Sequence, residues 1–175
     1  MRDLLAGLVA LLLLGAAASL ATTLHDVRQR RRRRFEAERA RGRAVVAEVP
    51  TGEDLVLVTE DEDGFYYGGQ AVAKHDIALV RVLINGAPIA EYVSRRRAHE
   101  RAARSAGFED RPEGIAADRW DVEIEASGGT LRIACGAIRE RVSQELARSI
   151  FDRVKAALER LDALTIPSPG SGAGD

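Results

Sequence analysis

Ile77–Ile84 alternates around Val80, Val82 and Ile84, and Asn85-Gly86 follows it at once. An Asn-Gly pair supplies the two positive-φ residues that a two-residue hairpin turn needs, so Pro88–Val93 reads as the returning strand. Pro88 has no N–H for a ladder, which starts that strand late or puts it at a sheet edge. The rest of the chain must fit around an antiparallel sheet.

Other segments share this strand character. Ala44–Val49 is a β-prone run stopped by Pro50-Thr51-Gly52, Leu55–Thr59 is a second strand, and Glu60–Gly64 is an acidic turn. Phe65–Tyr67 reads as a third strand, stopped by Gly68-Gly69, and Gln70–Lys74 as a fourth. Trp120–Ala126 puts Trp120, Val122, Ile124 and Ala126 on one face and Asp121, Glu123 and Glu125 on the other. Ser127-Gly128-Gly129 then turns into Thr130–Cys135. Between these groups, Arg95–Ala106 reads as a short exposed helix or a mobile insertion, with Ser94 as N-cap, and Glu109–Ala117 as a loop. The last element is a helix over Arg141–Ala163. Its stripe of Val142, Leu146, Ile150, Val154, Leu158 and Leu161, widened by Phe151, must cover an open sheet face.

The N-terminus is of another kind. No charge interrupts Leu4–Leu24, and at 1.5 Å per residue this stretch spans about 31 Å, close to the hydrocarbon thickness of a bilayer. A cleaved signal peptide would use Arg2, Leu4–Leu14 and the small residues Ala16–Ala18 or Ser19–Ala21. The following flank favours an uncleaved anchor. Arg28, Arg30, Arg31, Arg32, Arg33 and Arg34 come next, then Arg39, Arg41 and Arg43, and positive charge after an apolar segment stays in the cytoplasm. The expectation is a single-pass protein of a bacterial inner (plasma) membrane, with its N-terminus outside and its domain cytoplasmic. Arg28 and Arg30–Arg34 are the expected membrane-surface contacts, each adding about 1 kcal/mol of attraction to anionic headgroups. Val27–Arg41 has few breakers and reads as a helical stalk ending at Gly42. Gly15 and Ser19 form a small-residue pair of the kind that supports a homodimer through such a helix.

Charge separates the parts further. Residues 1–43 hold ten of the 26 basic and four of the 27 acidic residues, which leaves 16 against 23, about −7, for the remainder. Nucleic acid is therefore not an expected partner, because phosphate contacts need clustered Lys/Arg. The near-absence of lysine (Lys74 and Lys155 only) suggests a GC-rich bacterial genome. The single cysteine, Cys135, rules out an internal disulfide.

Leu55-Val-Leu-Val-Thr, Gly64-Phe-Tyr-Tyr-Gly, Asp76-Ile-Ala-Leu-Val and Trp120-x-Val-x-Ile with Gly129-Thr-Leu-Arg-Ile resemble bacterial pleckstrin-homology-like domains. The resemblance covers about residues 44–163 as a pattern of strand types, and the insertion at 94–117 departs from it. It implies a partly open barrel plugged by the C-terminal helix, and a binding or scaffold role. The expected fold is thus α+β: a transmembrane helix (1–25), an Arg-rich arm (26–43), a mostly antiparallel β-barrel or sandwich of about seven strands capped by a helix (44–164), and a disordered tail (165–175).

No constellation for chemistry stands out. His25, His75 and His99 have no Cys or carboxylate at metal-ligand spacing, and His75-Asp76 reads as a surface pair. Cys135 alternates with Ile133 toward the core and reads as a buried thiol. Thr59, Asp61, Asp63 and Gly64 occupy the early positions of an EF-hand-like loop, but Gln70 stands where its bidentate Glu belongs and the flanks are strands. Phe65–Tyr67 read as half core, half exposed. The Arg95–Arg104 cluster reads as a solvated face or a second contact to anionic headgroups. The acidic first hairpin argues against phosphoinositide recognition. The expected function is a non-catalytic module with no cofactor or metal, acting through a protein partner at the inner membrane face. The alternative is an accessory or assembly subunit of a larger membrane complex that interacts through its transmembrane helix.

Overall fold

The structure is a computed structural model describing residues 2–52, 54–97 and 118–165. The chain divides into two compact units, Met1–Gly42 and Arg43–Asp175.

The first unit is one helix, α1 (Arg2–Ala40), closed by backbone bonds from Arg41 N–H to Glu38 and from Gly42 N–H to Arg39. Gly42 has a φ of +77°, the left-handed geometry that ends helices without a Cβ penalty. The expected transmembrane helix is corrected here. Among the described residues, no helix is long and apolar enough to cross a membrane. α1 does not stop before the arginine block but carries it inside, so charge fills its C-terminal half. Within α1, side chains are described at 13–15, 19, 20, 22, 23, 25 and from 28 onward, so much of the apolar stretch lies outside them.

The second unit holds two four-stranded antiparallel sheets. The first is a meander of β1 (Ala44–Thr51), β2 (Asp54–Glu60), β3 (Gly64–Tyr67) and β4 (Gln70–Ala73). After a 3-10 turn at Lys74–Asp76 come β5 (Ile77–Ile84), β6 (Ala87–Val93), β7 (Arg119–Ala126) and β8 (Gly129–Ala137). Asn85 and Gly86 have φ of 51° and 78°, the paired left-handed residues of a tight hairpin turn. Pro88 lies on β6, an edge strand, where its missing N–H breaks no ladder.

The second sheet is not a meander. Its order is β6-β5-β7-β8, so β5 is flanked by β6 and β7. Val93 pairs with Leu79 at one end of β5, and Trp120 pairs with Ile84 at the other. The chain must therefore return the length of β5 between β6 and β7. That requirement calls for a crossing connection here, where the sequence resemblance is interrupted, although eight extended residues would span the length of β5. The expected barrel or sandwich of about seven strands is corrected as well: there are two four-stranded sheets and no closed barrel, since among the described residues β1, β4, β6 and β8 each have a ladder on one side only. β1 lies against β8 without pairing with it.

Helix α2 (Arg141–Thr165) packs on β1, β5, β7 and β8. Ile150, Val154 and Leu158 are fully buried among Val49, Val58, Phe65, Val80, Val122, Ile124 and Ile133. Each contributes about 1.5–3 kcal/mol by leaving water. The buried face is rotated from the expected stripe: Ser143, Ala147 and Asp162 are inside, whereas Val142 is 74% exposed. The expected loop at Glu109–Ala117, most of the Arg95–Ala106 segment, and residues 166–175 of the expected tail lie outside the described residues. Arg95–Arg97 form a 3-10 turn.

Candidate functional site

An open groove of about 600 Å³ lies between the start of β1 and one face of α2. Ala44, Val45 and Val46 form one wall. Ser149, Asp152, Arg153 and Ala156 form the other, at the i, i+3, i+4, i+7 spacing that brings helix residues onto one face. Glu60, buried at the end of β2, closes the floor.

A charged cluster fixes this corner. Arg153 donates to Glu60 Oε1 through Nε at 2.6 Å and also through Nη2, which ties the helix to the first sheet. Lys74 Nζ lies 3.8 Å from Glu60 Oε2 and donates to the Asp61 carbonyl. Asp61 caps the turn into β3, its Oδ1 accepting from the N–H groups of Asp63 and Gly64 at 2.9 Å each. A hydrogen bond from the Tyr66 hydroxyl is the main reason its carboxyl sits below the usual aspartate range, and the same bond raises Tyr66. The Arg43 guanidinium lies 3.5 Å from the Tyr66 ring centroid and 3.7 Å from Asp61, stacking on the ring face while pairing with the acid. Gly64 is required here, because a Cβ would meet the Val72 carbonyl at 2.8 Å.

Two further polar nodes lie elsewhere. On the outer face of the second sheet, Glu123 is 5% exposed and receives Arg81 Nε at 2.7 Å, Arg132 Nη2 at 2.8 Å and Arg132 Nε at 3.1 Å. Beside it Asp121, 3% exposed, pairs with Arg119 Nε at 2.9 Å. On α2, Asp162 accepts from the Ser94 hydroxyl at 2.8 Å, the Arg95 N–H at 2.9 Å, Arg96 Nε at 3.0 Å and the Tyr92 hydroxyl at 3.2 Å. Burial pushes its carboxyl up, but the hydrogen bonds from Arg95, Ser94 and Arg96 outweigh that and hold it below the usual value. The Ser94 hydroxyl thus serves Asp162, while its carbonyl accepts from the Arg97 N–H at the start of the 3-10 turn.

The residues singled out from sequence are scattered. Arg28 and Arg30–Arg34 are exposed along α1. Arg32 Nε donates to Glu36 at 2.8 Å, and Arg31 lies over the Phe35 ring at 5.8 Å. His75 is exposed, 3.6 Å from Asp76, which also accepts from Arg97 Nη2 at 3.2 Å. His25 is exposed on α1, and His99 lies outside the described residues. Phe65 is buried and Tyr66 and Tyr67 are half-buried. Cys135 is fully buried, and burial pushes its thiol up to about 12. Among the described residues, no group of three or more His, Cys, Asp or Glu is arranged to hold a metal ion.

Sequence reading missed the Glu60, Glu123 and Asp162 nodes. Glu123 was open to detection, since its register neighbours are Arg81 and Arg132, but only once β7 is known to pair with β5. Glu60 and Asp162 gave no local signal, because Arg153 lies 93 residues from Glu60, Lys74 meets it only once β2–β4 are folded together, and the partners of Asp162 lie 66–70 residues away. In comparisons with known proteins, the chain matches no family model, no curated protein and no solved structure.

Proposed function

We propose that the chain is a non-catalytic binding module acting through a protein partner at the inner face of a bacterial plasma membrane. One observation carries this reading: an open groove lies between the start of β1 and one face of α2, and its buried acid is already held by Arg153 and Lys74. An acid committed to two cations is poorly placed to move protons, whereas an open groove between a strand and a helix is suited to hold a segment of another chain. The resemblance of the strand motifs to pleckstrin-homology-like domains points the same way. The exposed Arg28 and Arg30–Arg34 supply salt-sensitive attraction to anionic headgroups.

A photo-crosslinking residue at four exposed sites, Asp54, Ile89, Thr130 and Ser149, tests the partner in cells. A discrete protein adduct at one or more of these sites is the expected result. Adducts to lipid alone, or none at any site, would overturn the reading. For the arm, the full chain should sediment with phosphatidylglycerol vesicles at low salt and less so with phosphatidylcholine vesicles. Replacing Arg30–Arg34 by Gln should remove the difference.

A further inference from the structure

We infer that the outer face of the second sheet is a docking surface for the chain's own residues 98–117, which lie across it against Leu79 and Leu83. The inference rests on topology and burial, and it stands whether or not the groove holds a partner.

Leu79 and Leu83 alternate with Val80 and Val82, so they stand on the same face as Arg81 and Glu123. That face points away from the core, yet Leu79 is fully buried and Leu83 is 2% exposed. Asp121 and Glu123, opposite Leu83 and Arg81 on β7, are also buried. Neither α2 nor the first sheet is the cover, because both share the core with Val80, Val82, Val122 and Ile124 on the other side. Among the described residues, neither leucine belongs to that core. Neighbouring side chains on one face of a sheet can flank a leucine, but they leave its tip to whatever lies above. On β8 the Thr130 and Arg132 side chains of this face are exposed, so the cover lies over β5 and β7.

The path of the chain names the occupant. β6 and β7 each pair antiparallel with β5, so they run parallel to each other on either side of it. The chain leaves β6 where Val93 meets Leu79, and it enters β7 where Trp120 meets Ile84. It must return the length of β5 and also change sides, and the inner face is already filled by α2 and the first sheet. A crossover between parallel strands takes about a dozen residues or more, and residues 98–117 supply twenty. Phe108 and Ile115 are the only large apolar residues among them, and they are the natural cover for the two leucines.

The test uses the full chain with labelled leucine and isoleucine methyls and phenylalanine rings. Nuclear Overhauser cross-peaks should join the Leu79 and Leu83 methyls to the Phe108 ring or the Ile115 methyl. In the Phe108→Ser, Ile115→Ser double variant, relaxation by a soluble nitroxide should rise severalfold at Leu79 and Leu83 and stay unchanged at Ile150, whose core is untouched. Cross-peaks outside the sheet that reach only residues other than 98–117, or that appear only between labelled and unlabelled copies in a mixed sample, would overturn the proposal. So would a double variant whose leucine methyls stay as protected as before. Should that variant not fold, the cross-peaks of the parent chain decide alone.

Discussion

Asp162 fastens the end of α2 to the segment that follows β6. It is 4% exposed and gathers donors from Tyr92, Ser94, Arg95 and Arg96, so it pins the last turns of α2 to the end of β6. Asp162→Ala strands the half-buried Arg96 guanidinium and several donors. It should cost about 3 kcal/mol, read as a lower urea midpoint with an unchanged slope. Because the folded carboxyl titrates below its ordinary value of 3.8, the unfolded chain binds the proton first as pH falls. Asp162 therefore stabilises the fold above that value, and its contribution fades as pH drops through the folded pKa. Asp162→Asn should flatten the acid limb of the stability profile, as followed by Trp120 fluorescence. Cys135 makes the opposite kind of prediction. Buried, with its thiol raised to about 12, it should ignore a thiol reagent at neutral pH until the domain unfolds. Labelling of native protein at the rate of a free thiol would show that the core opens there.

At the scale of elements, β5, β7 and β8 are joined across their outer face by Arg81, Glu123 and Arg132 as well as by their ladders. Removing only Glu123 leaves two cations facing each other over a sheet. Glu123→Ala should cost about 3 kcal/mol, discounted somewhat because Arg132 is half-exposed. Replacing all three residues by Met, Leu and Met should come near to restoring wild-type stability in denaturant titrations. Should the single variant prove neutral, the triad is only surface decoration. The strands themselves were legible, because alternation and the Asn85-Gly86 turn are local signals set by pleat and backbone sterics. Which strand lies beside which was not, since β5–β7 pairing joins residues about forty positions apart and nothing in either segment names the other. The same gap hid the groove: Ser149 and Ala156 look like filler on an exposed helix face until β1 is placed opposite them.

For the whole molecule, the division after Gly42 predicts that the second unit holds its own core. A chain beginning at Arg43 should unfold at the same temperature as the full chain, followed by Trp120, the only tryptophan. A lower midpoint would show that α1 contributes to the domain's stability. The order β6-β5-β7-β8 also bears on how the molecule assembles. The β1–β2, β5–β6 and β7–β8 hairpins each close over short loops and can form in microseconds. The β7–β8 hairpin, however, must travel back along β5 and dock on its free side before α2 has a complete surface to cover. That docking closes the longest loop in the second sheet, and it should be the step that limits the refolding rate.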